Sequence, residues 1–390
     1  MSTLLVINLL AFFLSIFVVG CVLGAVFSKP FRKKLAAAIG IGAWARRDAM
    51  LVRISCNPVL SPGSHPWNAQ SVLNPAAVAL GGRTHLVYRA IGMDGVSRLG
   101  YASSGNGLIF DDQLPYAIYA STNPRNLPRH GERRYNPILY PSGGSWGGCE
   151  DPRMVAINGR VYLTFNSFDG WDFIRVAMIS LSQEDFLAKR WRWSAPKLLS
   201  PAGEVHKNWV IFPEKIGGRF AILHGVYGED TDHVRVAYTD DLESFDPETL
   251  RGKSVDPNAM PWQSIAWHTK MKSAGPPPLK TEAGWLVFYH AYGEAHGRYE
   301  LGALLLDLAD PTRILHRAPE PVLSPDEHDE NHGRLVVYAC GAVIRDDMLY
   351  VYYGGGDRVV CVAFTPLMPF LKALMRGEPA TLTAEPTQTA

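Results

Sequence analysis

Asn74-Pro75, Asp151-Pro152 and Phe212-Pro213 stand at matching offsets ahead of three similar apolar stretches. Five more polar residues, Arg89, Asn166, His224, His290 and Tyr353, end runs that a purely structural strand could have kept apolar. An amide, a carboxylate, a guanidinium, two imidazoles and a phenol can move protons and hold a polar ligand if one fold gathers them. Taken alone, Asp151 reads equally as a turn residue, since Asp before Pro favours turns.

An internal repeat supplies a reason for them to meet. A short apolar run, a turn with Gly or Asp, and an alternating apolar and aromatic run recur at 78–89, 155–166, 215–224, 279–290 and 342–353. Centres such as Gly81-Gly82, Asn158-Gly159 and Asp346-Asp347 have the composition of hairpin turns. A β-rich segment follows each copy, at 98–102, 175–178, 234–238, 299–303 and 358–363. Three strands per copy, with a fourth in the connecting stretch, predict an all-β chain folded as a five-bladed β-propeller. The competing arrangement is a β-sandwich. In a propeller the innermost strands line an axial pocket, and the polar strand ends converge there.

Composition narrows the partners. The chain has 390 residues, 47% hydrophobic and 11% aromatic, with a formal charge of +1, so it can bury a large core. The near-neutral balance, without a basic stripe, gives no reason to expect nucleic acid and fits a neutral substrate. Cys21, Cys56, Cys149, Cys340 and Cys361 lack zinc or redox spacing and read as reduced, structural thiols. His328-Asp-Glu-Asn-His332 suits a solvated loop better than a metal cage, so no metal and no organic cofactor are expected.

Residues 4–27 are almost continuously apolar, long enough for one transmembrane helix. A cleaved signal peptide is the plainer alternative, and Val18-Val19-Gly20-Cys21 loosely matches a lipoprotein box. Lys29, Arg32, Lys33, Lys34, Arg46, Arg47 and Arg53 follow the apolar run and no Lys or Arg precedes it. That asymmetry predicts a single-pass anchor with the body in the cytoplasm. The expected plan is an anchor at 1–28, a basic juxtamembrane linker at 29–55, a catalytic propeller at 56–377 and a disordered tail at 378–390. Nothing in the sequence sets the oligomeric state. The stretch 113–149 carries Arg125, Arg129, His130, Arg133 and Arg134. It reads as a cover for the acceptor side or for an anionic substrate, or else as a solvated surface loop.

From about residue 57 to 371 the ordered motifs resemble glycoside hydrolase family 130, five-bladed propellers that include β-mannoside phosphorylases and some β-mannosidases. The resemblance rests on Asn74-Pro-Ala, Tyr88-Arg89, Glu150-Asp151-Pro-Arg153, Phe212-Pro-Glu-Lys215, Gly275-Pro-Pro-Pro278, Gly284-Trp285 with Tyr289-His290, Tyr299-Glu-Leu-Gly-Ala303 with Leu304-Leu-Leu-Asp307, and Gly354-Gly-Gly-Asp357. It implies Asp151 as general acid and Asn74, Arg89 and Asp357 as ligands of the mannosyl hydroxyls. Glycoside cleavage needs a group that protonates the departing oxygen, directly or through a substrate hydroxyl, and a nucleophile on the other face. In an inverting phosphorylase phosphate is that nucleophile and cations replace the second carboxylate. The resemblance then implies Lys207, Lys270 or Lys272, His290 and Tyr299 as phosphate ligands, with mannose 1-phosphate as product. The chain departs from the pattern at Gly225, where an arginine is usual, and at Lys207, where lysine lacks the guanidinium fork. Two alternatives stay open: a hydrolase whose water is activated by Glu150, Glu214, Glu229 or Asp230, and a propeller that binds sugar without turning it over. The substrate in each case is a β-mannoside oligosaccharide or glycoconjugate.

Overall fold

Alternating apolar residues between Gly-rich and Asp-rich turns become antiparallel hairpins, and among the described residues the hairpins recur from Ser71 to Pro366. The structure is a computed structural model that describes residues 51–121, 139, 141–171, 174–224, 235–251, 270–293, 297–325, 334–376, 380–381 and 384–385. Residues 270–272, 380–381 and 384–385 are described by their backbone alone. Leu51–Ala390 is one compact unit.

After β1 (Val52–Arg53), β2 (Ser71–Leu80), β3 (Arg83–Ile91) and β4 (Val96–Ser104) form the first meander, edged by β5 (Asp112–Gln113). β6 (Gly147–Ile157), β7 (Arg160–Phe168) and β8 (Arg175–Ser182) form the second, edged by β9 (Lys197–Leu198). The third is β10 (Val210–Ile211), β11 (Phe220–His224) and β12 (Arg235–Thr239). In the fourth, β13 (Lys270–Ala274) and β14 (Leu279–Thr281) both pair with β15 (Gly284–Gly293), followed by β16 (Arg298–Leu306) and β17 (Arg313–Arg317). The fifth is β18 (Val337–Arg345), β19 (Met348–Gly355) and β20 (Val359–Pro366), and β1 completes it by pairing with β20. β21 (Ala380–Thr381) and β22 (Ala384–Glu385), in the stretch read from sequence as a disordered tail, pair with β17 and β12.

The chain is thus all-β, with a repeated meander and a fourth strand on each copy. Hydrogen bonding groups the meanders into four sheets rather than five separate blades. The first two are joined because Val96 and Ser97 of β4 pair in parallel with Gly147 and Gly148 of β6. Gly148 permits this join: at φ +108° it lies so close to the Ser97 backbone that a Cβ would overlap the carbonyl.

The strands are buried on both faces, and the core lies between successive meanders. Val87 and Leu99 of the first pack with Leu163 and Phe165 of the second. Val155 and Ile157 of the second pack with Ile211 and Ile222 of the third, while neighbouring Met154 points back to the first. Val210 and Leu223 meet Val287 and Leu304 of the fourth, and Leu86 and Ala102 meet Val343 and Val362 of the fifth. A period of two sends alternate side chains to opposite neighbours, which is why these strands read as nearly continuous apolar runs.

One sequence expectation is corrected. Among the described residues no helix is long and apolar enough to cross a membrane. The helices α1 (Gln183–Leu187) and α2 (Leu367–Leu374) have 5 and 8 residues, against about 20 for a span. Single-pass anchoring with a cytoplasmic body therefore finds no support. Residues 4–27, on which that expectation fell, lie outside the described residues.

Candidate active site

The first strands of four of the five meanders share a local defect. The register of β2 on β3 shifts between Leu73 and Ala76, and that of β6 on β7 between Glu150 and Arg153. β13 shifts between Met271 and Ser273, and β18 between Ala339 and Gly341. Pro75 and Pro152 account for two of these bulges, because proline cannot donate to the ladder. Asn74 and Asp151 precede them at φ 49° and 48°, left-handed angles that Asn and Asp tolerate. The bulges at Asn74 and Asp151 turn these two polar side chains out of the pleat and into contact with each other.

There Asn74 Nδ2 donates to Asp151 Oδ1 at 2.7 Å, and Arg89 Nη1 donates to the same oxygen at 3.0 Å. Because Asp151 can only accept here, the Asn74 amide orientation is fixed, and Asn74 Oδ1 has no donor among the described residues. Arg89 is 1% exposed. Its Nε donates to Ser97 Oγ at 2.8 Å, and its Nη2 to Ser142 O at 2.6 Å, Ser145 Oγ at 2.9 Å and Glu150 Oε1 at 3.1 Å. Lys207 Nζ reaches Glu150 Oε2 at 3.2 Å and lies 5.1 Å from the Trp171 ring centre. Arg153 donates to the Asp151 carbonyl at 2.6 Å and to Asn208 Oδ1 at 2.8 Å, and Asn166 Nδ2 also donates to Asn208 Oδ1, at 2.9 Å.

Burial alone would push the Asp151 carboxyl up. Arg89 first, then Lys207 and Arg153, with the Asn74 hydrogen bond, hold it well below the usual carboxylate range. Asp151 is thus ionised among three cations. A second cluster adjoins Arg153. His290 stacks on Tyr338 at 3.9 Å between ring centres, Ser273 Oγ lies 3.1 Å from His290 Nδ1, and the Arg153 guanidinium sits over Tyr338. Burial, helped by Arg153, lowers the His290 pKa to about 3, so this imidazole is neutral at ordinary pH. Burial pushes the neighbouring Cys340 thiol up to about 12, which leaves it a packing residue.

Of the residues singled out from sequence, Asn74, Arg89 and Asp151 come together directly, and Lys207 joins them through Glu150. Asp357 follows β19 at φ 56° and pairs with Arg334 at 2.9 Å, close enough for its charge to act on Arg89. Its loop touches the site through Gly354, where a Cβ would overlap Asn74 Oδ1 and lie 3.0 Å from Asn74 N. Gly354→Ala is therefore expected to displace Asn74 and weaken the site's activity by about tenfold or more, the scale of a small misplacement of a substrate-positioning group, while the thermal transition moves little. Unchanged kinetics would show that Asn74 can shift at no functional cost.

His290 belongs to the adjoining cluster. Tyr299, paired with Tyr292 in the ladder and 5.2 Å from its ring, lies further along the same sheet. The β13 backbone puts Lys272 at the bulge position of Asn74 and Asp151; the side chains of Lys270 and Lys272 are outside the described residues, as are Gly225, His328 and His332. The proposed cover at 113–149 is described only at its ends, and its C-terminal end does reach the site, through Ser142 and Ser145.

Register also revises the repeat. Arg89 pairs with Leu73 and Asn166 with Glu150, each just before a bulge, whereas His290 pairs with Ser273, one position nearer the turn. His224 is displaced in the same way. Asn208-Trp209, not Phe212-Pro213, is the third counterpart of Asn74-Pro75 and Asp151-Pro152, and Asn208 has the same left-handed backbone at φ 65°. Asn208 escaped notice because no proline follows it, though counting back from Val210 would have found it. Arg153 was visible only as a motif letter, and Glu150 as one of four carboxylates that could activate water. Ser142 and Ser145 carried no signal, being 50 residues or more from Arg89 in sequence.

The family model described as β-1,4-mannooligosaccharide phosphorylase, Glyco_hydro_130, matches residues 50–375. The chain belongs to glycoside hydrolase family 130. Within the family it is 34% identical over 323 residues to a 1,2-β-oligomannan phosphorylase of Thermoanaerobacter sp. (strain X514), covering 80% of this chain and 96% of that protein. It is 31% identical over 331 residues to a β-1,2-mannobiose phosphorylase of the same organism, with the same coverage. The solved β-1,2-mannobiose phosphorylase of Listeria innocua, in complex with β-1,2-mannobiose, superposes with a TM-score of 0.61 at 21% identity, covering 83% of this chain and 99% of that one. A structure reported with family 130 hydrolases that target β-1,2 mannosidic linkages gives 0.63 at 23% identity, covering 85% and 96%. At these identities the two structures bear on the fold alone.

Proposed function

We propose that this family 130 enzyme is an inverting β-mannoside phosphorylase acting on β-1,2-linked mannooligosaccharides or glycoconjugates, with inorganic phosphate as co-substrate and mannose 1-phosphate as product. The carrying observation is the charge of the pocket: Arg89, Arg153 and Lys207 surround Asp151 and Glu150, leaving one positive charge in excess for an anion. The linkage follows the β-1,2 specificity in the names of the relatives at 34% and 31% identity.

In this reading Asn74, Arg89 and Asp357 hold the mannosyl unit and Asp151 is the general acid. A phosphate oxygen attacks the anomeric carbon, the bond to the leaving oxygen breaks, and that oxygen takes a proton from Asp151, directly or through a substrate hydroxyl. Arg89, Lys207 and Arg153 keep Asp151 ionised, so in this scheme it takes up its proton as the ligands bind. An anion beside it offsets the field of Arg89 and Lys207 and raises its proton affinity, which arms the acid once the nucleophile is in place. Lys207, Lys270 or Lys272, His290 and Tyr299 are the phosphate ligands of this scheme. The five meanders close into a five-bladed ring over 56–377, a reading supported by the packing of β18 against β2 and of β2 against β6 and by the completion of the fifth meander by β1.

A hydrolase would need a carboxylate free to activate water. Glu150 has both oxygens engaged by Arg89, Ser145, Ser142 and Lys207, and Glu214 forms a surface pair with Lys280. Glu229 and Asp230 lie outside the described residues. Product identity separates the readings. Incubated with β-1,2-mannobiose and phosphate, the enzyme should release mannose 1-phosphate and mannose in equal amounts, at a rate that rises with phosphate. Free mannose alone at a phosphate-independent rate would leave the hydrolase.

A further inference from the structure

Glu150 is wholly buried, and every described partner of its carboxylate is a donor. Oε1 accepts from Arg89 Nη2 and Ser145 Oγ, both at 3.1 Å. Oε2 accepts from Ser142 Oγ at 2.9 Å and from Lys207 Nζ at 3.2 Å, and Lys207 also donates to Ser142 Oγ at 2.9 Å. One carboxylate therefore fixes two cations that arrive from different meanders, Arg89 from the first and Lys207 from the third. It lies one residue before Asp151, on the strand segment that ends in the bulge. The described residues use two of the three N–H donors of Lys207 and leave one N–H of Arg89 Nη1 uncommitted.

We propose that Glu150 is a positioning residue for the anionic co-substrate: by anchoring Arg89 and Lys207 on its two oxygens, it holds Arg89 in place for the mannosyl unit and aims the remaining N–H of Lys207 at phosphate beside Asp151. This rests on the phosphorylase reading and adds a residue that acts without touching substrate. Lysine gains most from such an anchor. It is a point charge on a flexible stem without the flat fork of arginine, so a fixed carboxylate and the Ser142 hydroxyl together supply the orientation that its own geometry lacks.

Geometry and charge make opposite predictions for Glu150, and two substitutions separate them. Glu150→Asp keeps the charge but shortens the reach, so it cannot hold both cations. Glu150→Gln keeps the length but removes the charge, and turns an amide NH2 toward one pair of donors. With a positioning role both variants raise the KM for phosphate, by about tenfold or more, the scale of one charge-assisted hydrogen bond, and by more than the KM for β-1,2-mannobiose. In a Lys207→Met background the added effect of Glu150→Asp should shrink, because the two residues act as one unit.

Steady-state kinetics with inorganic phosphate and β-1,2-mannobiose, alongside thermal unfolding of each variant, reads this out. A phosphate KM unchanged in Glu150→Asp and lowered in Glu150→Gln would mean that Glu150 only balances charge and would overturn the proposal. So would equal rises in both KM values, or full additivity with Lys207→Met. Should Glu150→Gln fail to fold, Glu150→Asp and the cycle with Lys207→Met decide alone. A wild-type enzyme that makes no mannose 1-phosphate sinks the phosphorylase reading itself and this proposal with it. A wild type that makes it, with Glu150 variants of normal phosphate KM, sinks only the proposal.

Discussion

Asp151→Asn should lower phosphorolysis of β-1,2-mannobiose by about 10²–10⁴-fold, the usual worth of a positioned proton donor, while leaving the fold in place. The amide fills the same volume at the bulge and accepts hydrogen bonds through one oxygen, so Asn74 and Arg89 retain a partner. What disappears is the capacity to deliver a proton to the leaving oxygen. The loss should be much smaller on a mannoside whose leaving group needs no protonation, such as an aryl mannoside with an acidic phenol. Comparing the two substrates, with a thermal melt to confirm folding, therefore tests the role rather than the site's integrity. Near-normal turnover of the variant on β-1,2-mannobiose would reject Asp151 as the acid.

Arg89→Met should cost about 3–5 kcal/mol of stability, the range for removing one partner of a buried ion pair. The guanidinium reaches five groups, Ser97, Asp151, Ser142, Ser145 and Glu150, from a position with 1% exposure. Its own affinity for a proton shows the balance: burial works against the charge, and Glu150, then Asp151, more than offset it. Methionine leaves two adjacent carboxylates in the interior with Lys207, Arg153, Asn74, Asn166 and the two serines to serve them. Arg89→Lys restores the charge but not the fork and should fall between wild type and Arg89→Met. Denaturant unfolding of the three proteins measures this. A loss below about 1 kcal/mol would place the site's anion load on Lys207 and Arg153 instead, since exposed ion pairs contribute no more than that.

The sequence by itself determined the repeat, the hairpins and the class of fold, because these depend on local chemistry. The turn composition of Asn158-Gly159 and Asp346-Asp347 and the period of two in the flanking runs need no distant partner. Asn74 and Asp151 were legible for the same reason, as each is followed by a proline that breaks the ladder within one residue. The tertiary structure decided what depends on register and on chain crossings. Strand pairing sets His290 and His224 one position nearer their turns than Arg89 and Asn166, and Asn208 replaced Phe212 as the third counterpart. Ser142 and Ser145 entered the site because a loop folds back over Arg89, a contact between residues more than 50 positions apart that no local pattern encodes. Glu150 changed most. In the sequence it is one more acidic residue beside Asp151, and its meaning comes only from the two cations that the first and third meanders bring to its two oxygens.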